Sequence, residues 1–251
     1  MIGIIPAAGA GSRIQPLGCS KELLPVGSRE ADGSRRPKAV SEYLVERMIA
    51  AGADSICMVI SAEKSDIVRY YAERDYAAEI FYAVQRRPLG LCDAIFRAAP
   101  FVSPQDPVLI GLPDTIWFPE TALRTAAEQG PEIRLVLFPV SNPSAFDAVL
   151  CDECGRIERV IVKQPDPGTN WIWGAVTASG AAYHELRRLW ESRQREDQYL
   201  GHLLNAYIDA GNSVLASAIG EHYMDVGTIE GYHAAQDYLR TRHEEQRSSA
   251  A

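Results

Sequence analysis

The chain has no run of apolar residues long enough to cross a bilayer, which excludes a transmembrane helix by length alone. Its first residues enter an apolar stretch without a basic segment or a small-residue cleavage site, so no secretory leader is expected and the chain reads as soluble and cytoplasmic. Positive charge is in short supply: 25 Lys and Arg stand against 33 Asp and Glu, a formal net charge of −8. A surface that neutralises a nucleic-acid backbone needs the opposite balance, so neither nucleic acid nor membrane is expected as a partner and any anion site has to be local. Cysteine is sparse, and five residues (Cys19, Cys57, Cys92, Cys151, Cys154) make no disulfide framework. The one CxxC, inside CDECG, lacks the second pair of a zinc ribbon and reads as a surface turn. Two standard phosphate loops are missing as well. There is no GxxxxGK[ST], and GxGxxG fails because Ile14 stands where the third glycine belongs, which disfavours an oxidoreductase.

What is present gathers near the start. Ile2, Ile4 and Ile5 ahead of Pro6 suit a buried strand. Ala7, Ala8, Gly9, Ala10 and Gly11 then carry almost no side chain, so backbone N–H groups can lie against an anion. Arg13 and Lys21 follow in the same connection, a planar fork of donors and a compact ammonium that together suit a polyphosphate. A bare GxG is also what a simple turn between two elements looks like; the two cations in the same connection argue against that.

The 251 residues, 47% apolar, suffice for one large domain. Neither an internal repeat nor a separating linker is visible. Residues 1–240 read as a single domain with halves at about 1–130 and 131–240, and 241–251 as a disordered tail. Residues 27–38, polar and aperiodic, read as an exposed loop, a candidate flap whose Arg29, Arg35, Arg36 and Lys38 are solvated. Helical spacing predicts a helix over 39–51, stopped by Gly52. Strands are predicted at 55–60, 79–84 and 107–111, alternating with helices at 64–74 and 91–99. Short, continuously apolar strands alternating with helices predict an α/β fold, a Rossmann-like, mainly parallel sheet flanked by helices. From Arg134 the pattern turns strand-rich (RLVLFPV, FDAVLCD, RIERVIV, WIWGAVTA), so the second half is expected to be mixed or antiparallel. Helices at 180–192 and 200–210, a strand at 213–217 and a last helix at 229–239 complete the reading.

Ligands of such sheets bind beyond the carboxyl ends of the strands, which puts the segments at Pro6, Gln85 and Asp114 in one crevice. Asp114, in GLPDTIW, is either a ligand for a hard cation such as magnesium or the N-cap of a helix a few residues on. Asp225, in YMDVGTIEGY, could complete a metal site or cap the last helix, for which Thr228 is better placed; spacing alone does not join residues 114 and 225. Gln85, in VQRRPLGLCDAI, is either a reader of a base edge, with Gly90 letting the base approach the backbone, or a solvent-facing turn residue.

Taken in order, these segments resemble the sugar-1-phosphate nucleotidyltransferases, the glucose-1-phosphate thymidylyl- and uridylyltransferases. GAGSRIQP and KELLP match the family's GxG[ST]RxxP and K[EQ]xLP, Gln85 with GLCDA matches its glutamine before a GLxxA helix, and Asp114 and Asp225 match its two aspartates, over residues 2 to about 240. The resemblance implies the nucleotide-diphospho-sugar transferase fold with a strand-rich acceptor-binding half. It also implies a magnesium-dependent transfer in which a sugar 1-phosphate attacks the α-phosphorus of a nucleoside triphosphate and pyrophosphate leaves. Arg13 and Lys21 would be catalytic, Asp114 and Asp225 would hold Mg²⁺, and Ala8, Gly9, Gly11, Gln85 and Gly90 would hold the nucleotide. Lys163 and Gly174 would bind the sugar phosphate, and oligomeric state is left open. The chain departs from the family where EKP becomes Lys163, Gln164 and Pro165, and where Phe146, Asp147 and Ala148 replace an aromatic–glycine pair. A one-residue offset in a strand turns a side chain to the other face. These departures leave a second reading, a catalytically weak nucleotide or nucleoside-diphosphate-sugar binding or regulatory protein on the same fold, and the shared loop chemistry leaves a third, a cytidylyltransferase acting on a non-sugar phosphate such as phosphocholine.

Overall fold

The structure is a computed structural model; it describes the backbone of all residues except 32, 250 and 251, and the side chains of all but these, 31 and 246–249. In chain order the elements are β1 (Ile2–Pro6), β2 (Pro25–Ala31), β3 (Ser34–Ala39), α1 (Val40–Ala50), β4 (Ser55–Ile60), α2 (Ser65–Ala72), β5 (Glu79–Val84) and α3 (Leu91–Phe96). β6 (Pro107–Gly111), β7 (Thr115–Phe118), α4 (Ala122–Ala127), β8 (Arg134–Pro139), β9 (Asp147–Cys151), β10 (Ile157–Val162) and β11 (Trp171–Ser179) follow. The chain closes with α5 (Gly180–Ser192), α6 (Leu200–Asp209), β12 (Leu215–Ser217), β13 (His222–Asp225) and α7 (Ile229–Ser249).

One sheet organises these elements, in the order β10-β9-β11-β6-β1-β4-β5, with β8 joined to β11 and β12 to β8. Its parallel core is β6-β1-β4-β5, and β11 runs antiparallel to β6, so the strand-rich second half continues the same sheet. The continuous apolar runs follow from burial on both faces. Ile4, Cys57, Val59 and Ile110 pack into one core with α3, α5 and α6, while their neighbours Ile5, Met58 and Leu109 pack into a second with α1, α2 and α4. The chain leaves β1 for β4 on one side and returns to β6 on the other, so the connection after β1 lies at the switch point where open α/β sheets place ligands.

Two expectations are corrected and one open alternative is closed. Residues 27–38 are not a loop but a β2–β3 hairpin, paired from Pro25↔Ala39 to Ala31↔Ser34. The Asp32-Gly33 pair is a strong turn signal, with Gly33 at φ +68°, and the absence of alternation reflects a two-stranded ribbon with one side in water. Asp114 caps no helix, because β7 follows it directly and α4 begins only at Ala122. The last helix, expected to end at Leu239, continues to Ser249, so residues 241–249 are helical; Ala250 and Ala251 lie outside the described residues. No helix among the described residues is long and apolar enough to cross a membrane. All five cysteines are free thiols, Cys151 and Cys154 being exposed in a turn whose N–H groups at Cys154 and Arg156 donate to Asp152.

Candidate active site

Beyond the carboxyl ends of the parallel strands lies a cavity of about 460 Å³ whose walls include Ala8, Gly9, Arg13, Lys21, Gln85, Gly90, Asp114, Lys163 and Asp225. Nine of the eleven residues singled out in the sequence thus share one crevice. Gly11 and Gly174 are not among its walls.

The loop after β1 is shaped from behind by a residue the sequence reading passed over. Buried Lys64 donates to the carbonyl oxygens of Ala7 (2.7 Å) and Gly9 (2.6 Å) and to both oxygens of Glu22 (2.7 and 2.8 Å). In a trans peptide the C=O and the following N–H point opposite ways. Drawing those two carbonyls to the rear turns the N–H groups of Ala8 and Ala10 away from Lys64, forming a concavity for an anion. Burial raises the pKa of Glu22, and Lys64 pulls it back only in part. Gly11 has a different role from the one expected. At φ +69° it turns the chain, and a Cβ there would come within 2.9 Å of Lys21 Cδ, so its bare α-carbon makes room for the lysine stem.

Asp114 and Asp225 are brought together by β-pairing. β7 and β13 form a separate antiparallel ribbon in which Thr115 faces Asp225, and Val226 N–H donates to Asp114 O at 2.8 Å. Each carboxylate holds a cation: Lys21 Nζ donates to Asp114 Oδ2 at 2.5 Å, and Arg13 Nη1 to Asp225 Oδ2 at 3.0 Å. Burial alone would depress the Lys21 pKa, but Asp114, helped by Glu22 and Asp225, raises it above its ordinary value. The carboxylates also converge. A Cβ on Gly227 would sit 2.8 Å from Asp225 Oδ1, 2.9 Å from Arg13 Nη2 and 3.0 Å from Asp114 Oδ2, so two hard oxygens and the Arg13 guanidinium border one small space beside the glycine. Gly227 N–H fixes Asp225 Oδ1 at 2.8 Å, and Thr228 Oγ1, as expected, takes the helix-capping bond from Gly231 N–H. Two convergent carboxylates suit magnesium, which takes few protein ligands and completes its shell from water and phosphate oxygens. Among the described residues no group of three or more His, Cys, Asp or Glu forms a cage independent of such a ligand.

Gln85 is buried rather than solvent-facing. Its amide nitrogen donates to Gly90 O (3.0 Å) and Asp93 Oδ2 (2.8 Å), which uses both N–H bonds and leaves the amide oxygen for an incoming donor. Gly90, at φ +95°, is required by packing: a Cβ would lie 2.7 Å from Gln198 Cα.

In the opposite half, Lys163 follows the last residue of β10 at φ +46°, so strand alternation no longer applies and its side chain reaches the cavity, Nζ 4.8 Å from the Tyr199 ring centre. Gln164 is not among the cavity walls. Gly174 sits at a bulge of β11, where a Cβ would meet the rings of Tyr223 (2.6 Å) and Phe138 (2.8 Å), so ring packing by itself requires its smallness. The walls here also include Phe146, Asp147, Trp173, Gln198, Tyr199 and Tyr223, most of them carrying no motif that a sequence could reveal. Burial raises the Asp147 pKa, and Lys163 pulls it back in part.

The sequence model of the nucleotidyl transferase family matches residues 2–242, nearly the whole chain. The chain belongs to the nucleotidyl transferase family. This nucleotidyltransferase is 30% identical over 254 residues to the glucose-1-phosphate thymidylyltransferase of Neisseria meningitidis serogroup A, covering 96% of this chain and 83% of that one. It is 23% identical to the UTP–glucose-1-phosphate uridylyltransferase AglF of Haloferax volcanii, with 96% and 97% covered. In fold it is similar to a UDP-glucose pyrophosphorylase from Acinetobacter baumanii, with a TM-score of 0.77, 18% identity and both chains fully covered.

Proposed function

We propose that this nucleotidyltransferase joins a nucleoside triphosphate to a sugar 1-phosphate, giving a nucleoside diphosphate sugar and pyrophosphate, with Mg²⁺ held by Asp114 and Asp225. The observation that carries this reading is the β7–β13 pairing, which sets two carboxylates beside the Arg13 and Lys21 cations of the glycine loop, in a crevice that Gln85 and Lys163 also line. Relatives named for glucose 1-phosphate and for a thymidylyl or uridylyl group support the substrate classes.

Both reactants are anions, so the work of the protein is positioning and charge neutralisation. Bound magnesium supplies electrostatic stabilisation of phosphate oxygens. In this reading the N–H groups of the 8–11 loop receive the triphosphate, and Arg13 and Lys21 exchange their carboxylate partners for phosphate oxygens. The acceptor oxygen of the Gln85 amide suits a base with an N–H on its edge, as uracil and thymine have. Lys163 takes the phosphate of the acceptor from the opposite wall, and the phosphate oxygen of the acceptor displaces pyrophosphate at the α-phosphorus.

The test is a pyrophosphate-release screen of the common triphosphates against a panel of sugar 1-phosphates, with magnesium present and then chelated. Release is expected with at least one pair, favouring uridine or thymidine triphosphate and stopping on chelation. Asp225→Asn is expected to lower turnover about a hundredfold, the size of losing one electrostatic stabiliser. Calorimetric binding of triphosphate with no release from any pair would overturn the assignment in favour of a binding protein.

A further inference from the structure

The β2–β3 hairpin, which the crevice does not use, gathers arginines. Arg29 and Arg36 are directly opposite one another in its ladder, so their side chains leave the same face, an arrangement of like charges that is unfavourable by itself. With Arg74, just beyond α2, and Tyr70 they line a groove of about 380 Å³ that includes Leu23, shares no wall residue with the crevice, and has no acidic residue among its described walls.

Beneath the groove lies the buried carboxylate of Glu42. It accepts from Ala39 N–H (2.9 Å), from the hydroxyls of Tyr70 and Tyr76 (3.0 Å each) and from the Arg74 guanidinium, which also stacks over the Tyr70 ring at 3.9 Å. Arg29 Nε is 3.6 Å from the same carboxylate, too far for a hydrogen bond, and is buried with no partner. Arg36 has no ion-pair partner among the described residues, although the chain as a whole carries an excess of acid. Three arginines therefore line the groove with one carboxylate beneath it, which pairs with Arg74 and Arg29 and already accepts from four donors. Burial lowers the Arg74 pKa, Tyr76 opposes this, and repulsion from Arg29 adds to it.

We propose that this groove is a binding site for a small phosphate-bearing anion, separate from the catalytic crevice. A phosphate group matches the fork geometry of guanidinium, and a dianion would cancel the two charges that Glu42 leaves over. It would also give Arg29 Nε its missing acceptor and turn the Arg29–Arg36 repulsion into a clamp.

Isothermal titration with inorganic phosphate, at ionic strength held constant with sodium chloride, tests this on the wild type, on Lys21→Ala and on Arg36→Glu. Phosphate is expected to bind the wild type and Lys21→Ala alike. Arg36→Glu, an exposed position, is expected to bind at least tenfold more weakly while keeping its melting temperature and its phosphate-free turnover. Ribose 5-phosphate distinguishes the sources: affinity equal to that of phosphate shows that the phosphate group alone is read, and tighter binding identifies a phosphorylated sugar. Equal affinity in Arg36→Glu and wild type, or binding lost in Lys21→Ala, would overturn the proposal, the latter by placing the anion in the crevice.

Discussion

Lys64 organises the glycine loop from behind, with four acceptors for one ammonium and an almost fully buried partner in Glu22. Removing one member of such a pair leaves the other charge buried and alone, which typically costs roughly 3–5 kcal/mol. Lys64→Met is therefore expected to lower stability by about that amount in urea unfolding, and Glu22→Gln placed on top of it to restore part of the loss, since the orphaned carboxylate is then gone. A double variant no more stable than Lys64→Met would show that the lysine acts only through the loop carbonyls. The same logic explains why the sequence concealed it. Arg13 and Lys21 were legible because they sit inside the glycine loop's own connection, whereas Lys64 meets that loop only because β4 lies beside β1 and ends level with it.

At the scale of elements, the first turn of α2 anchors the other end of the loop. Asp66 accepts from Ser20 N–H (2.6 Å) and Ser20 Oγ (2.7 Å), one residue before Lys21. Burial would raise its pKa, but the two bonds from Ser20, together with those from the backbone N–H groups of Ile67 and of Asp66 itself, bring it below the ordinary 3.8. A depressed carboxylate contributes stability that is present above its unfolded pKa and lost as pH falls through the folded one. The difference in urea midpoint between wild type and Asp66→Ala is thus expected to hold steady from neutral pH down to near 3.8 and to close below it. A difference that persisted unchanged in stronger acid would assign Asp66 a role other than its charged bonds to Ser20. The parallel core of the sheet was readable because strands buried on both faces are continuously apolar, and Ile2 to Pro6 and Ser55 to Ile60 announce themselves. The β2–β3 hairpin was not, since its charged residues leave no period to find, and only Asp32-Gly33 signalled a turn. The sequence offers Gly90 and Gly174 as glycines beside a ligand, but the neighbours that exclude a side chain there, Gln198 and the rings of Tyr223 and Phe138, belong to distant segments and are visible only in three dimensions.

Across the whole molecule, the nine-stranded sheet and the β7–β13 ribbon meet where Tyr223 lies over Gly174. Asp225 lies two residues further along β13. Gly174→Ala is expected to cost about 1–3 kcal/mol through overpacking. By tilting the ribbon it should also reduce turnover by about a hundredfold, the scale of a misplaced catalytic group, with unchanged circular dichroism. Lost stability with intact turnover would mean that the ribbon absorbs the added methyl without moving Asp225.

The two ion pairs across the crevice, Lys21 with Asp114 and Arg13 with Asp225, carry a consequence for what can enter it. In each pair a positive charge sits against a negative one, and the fields of the two pairs largely cancel at a distance, so the pairs draw in neither a bare anion nor a bare cation strongly. A lone polyanion would have to separate the cations from carboxylates left exposed to it, and a lone metal ion would have to displace an ammonium and a guanidinium. A ligand that arrives with both signs already joined, such as a metal-complexed triphosphate, swaps partners on both sides at once and leaves no charge unmatched. Under the proposed function, this resting arrangement is expected to favour a metal-complexed triphosphate over either ion alone.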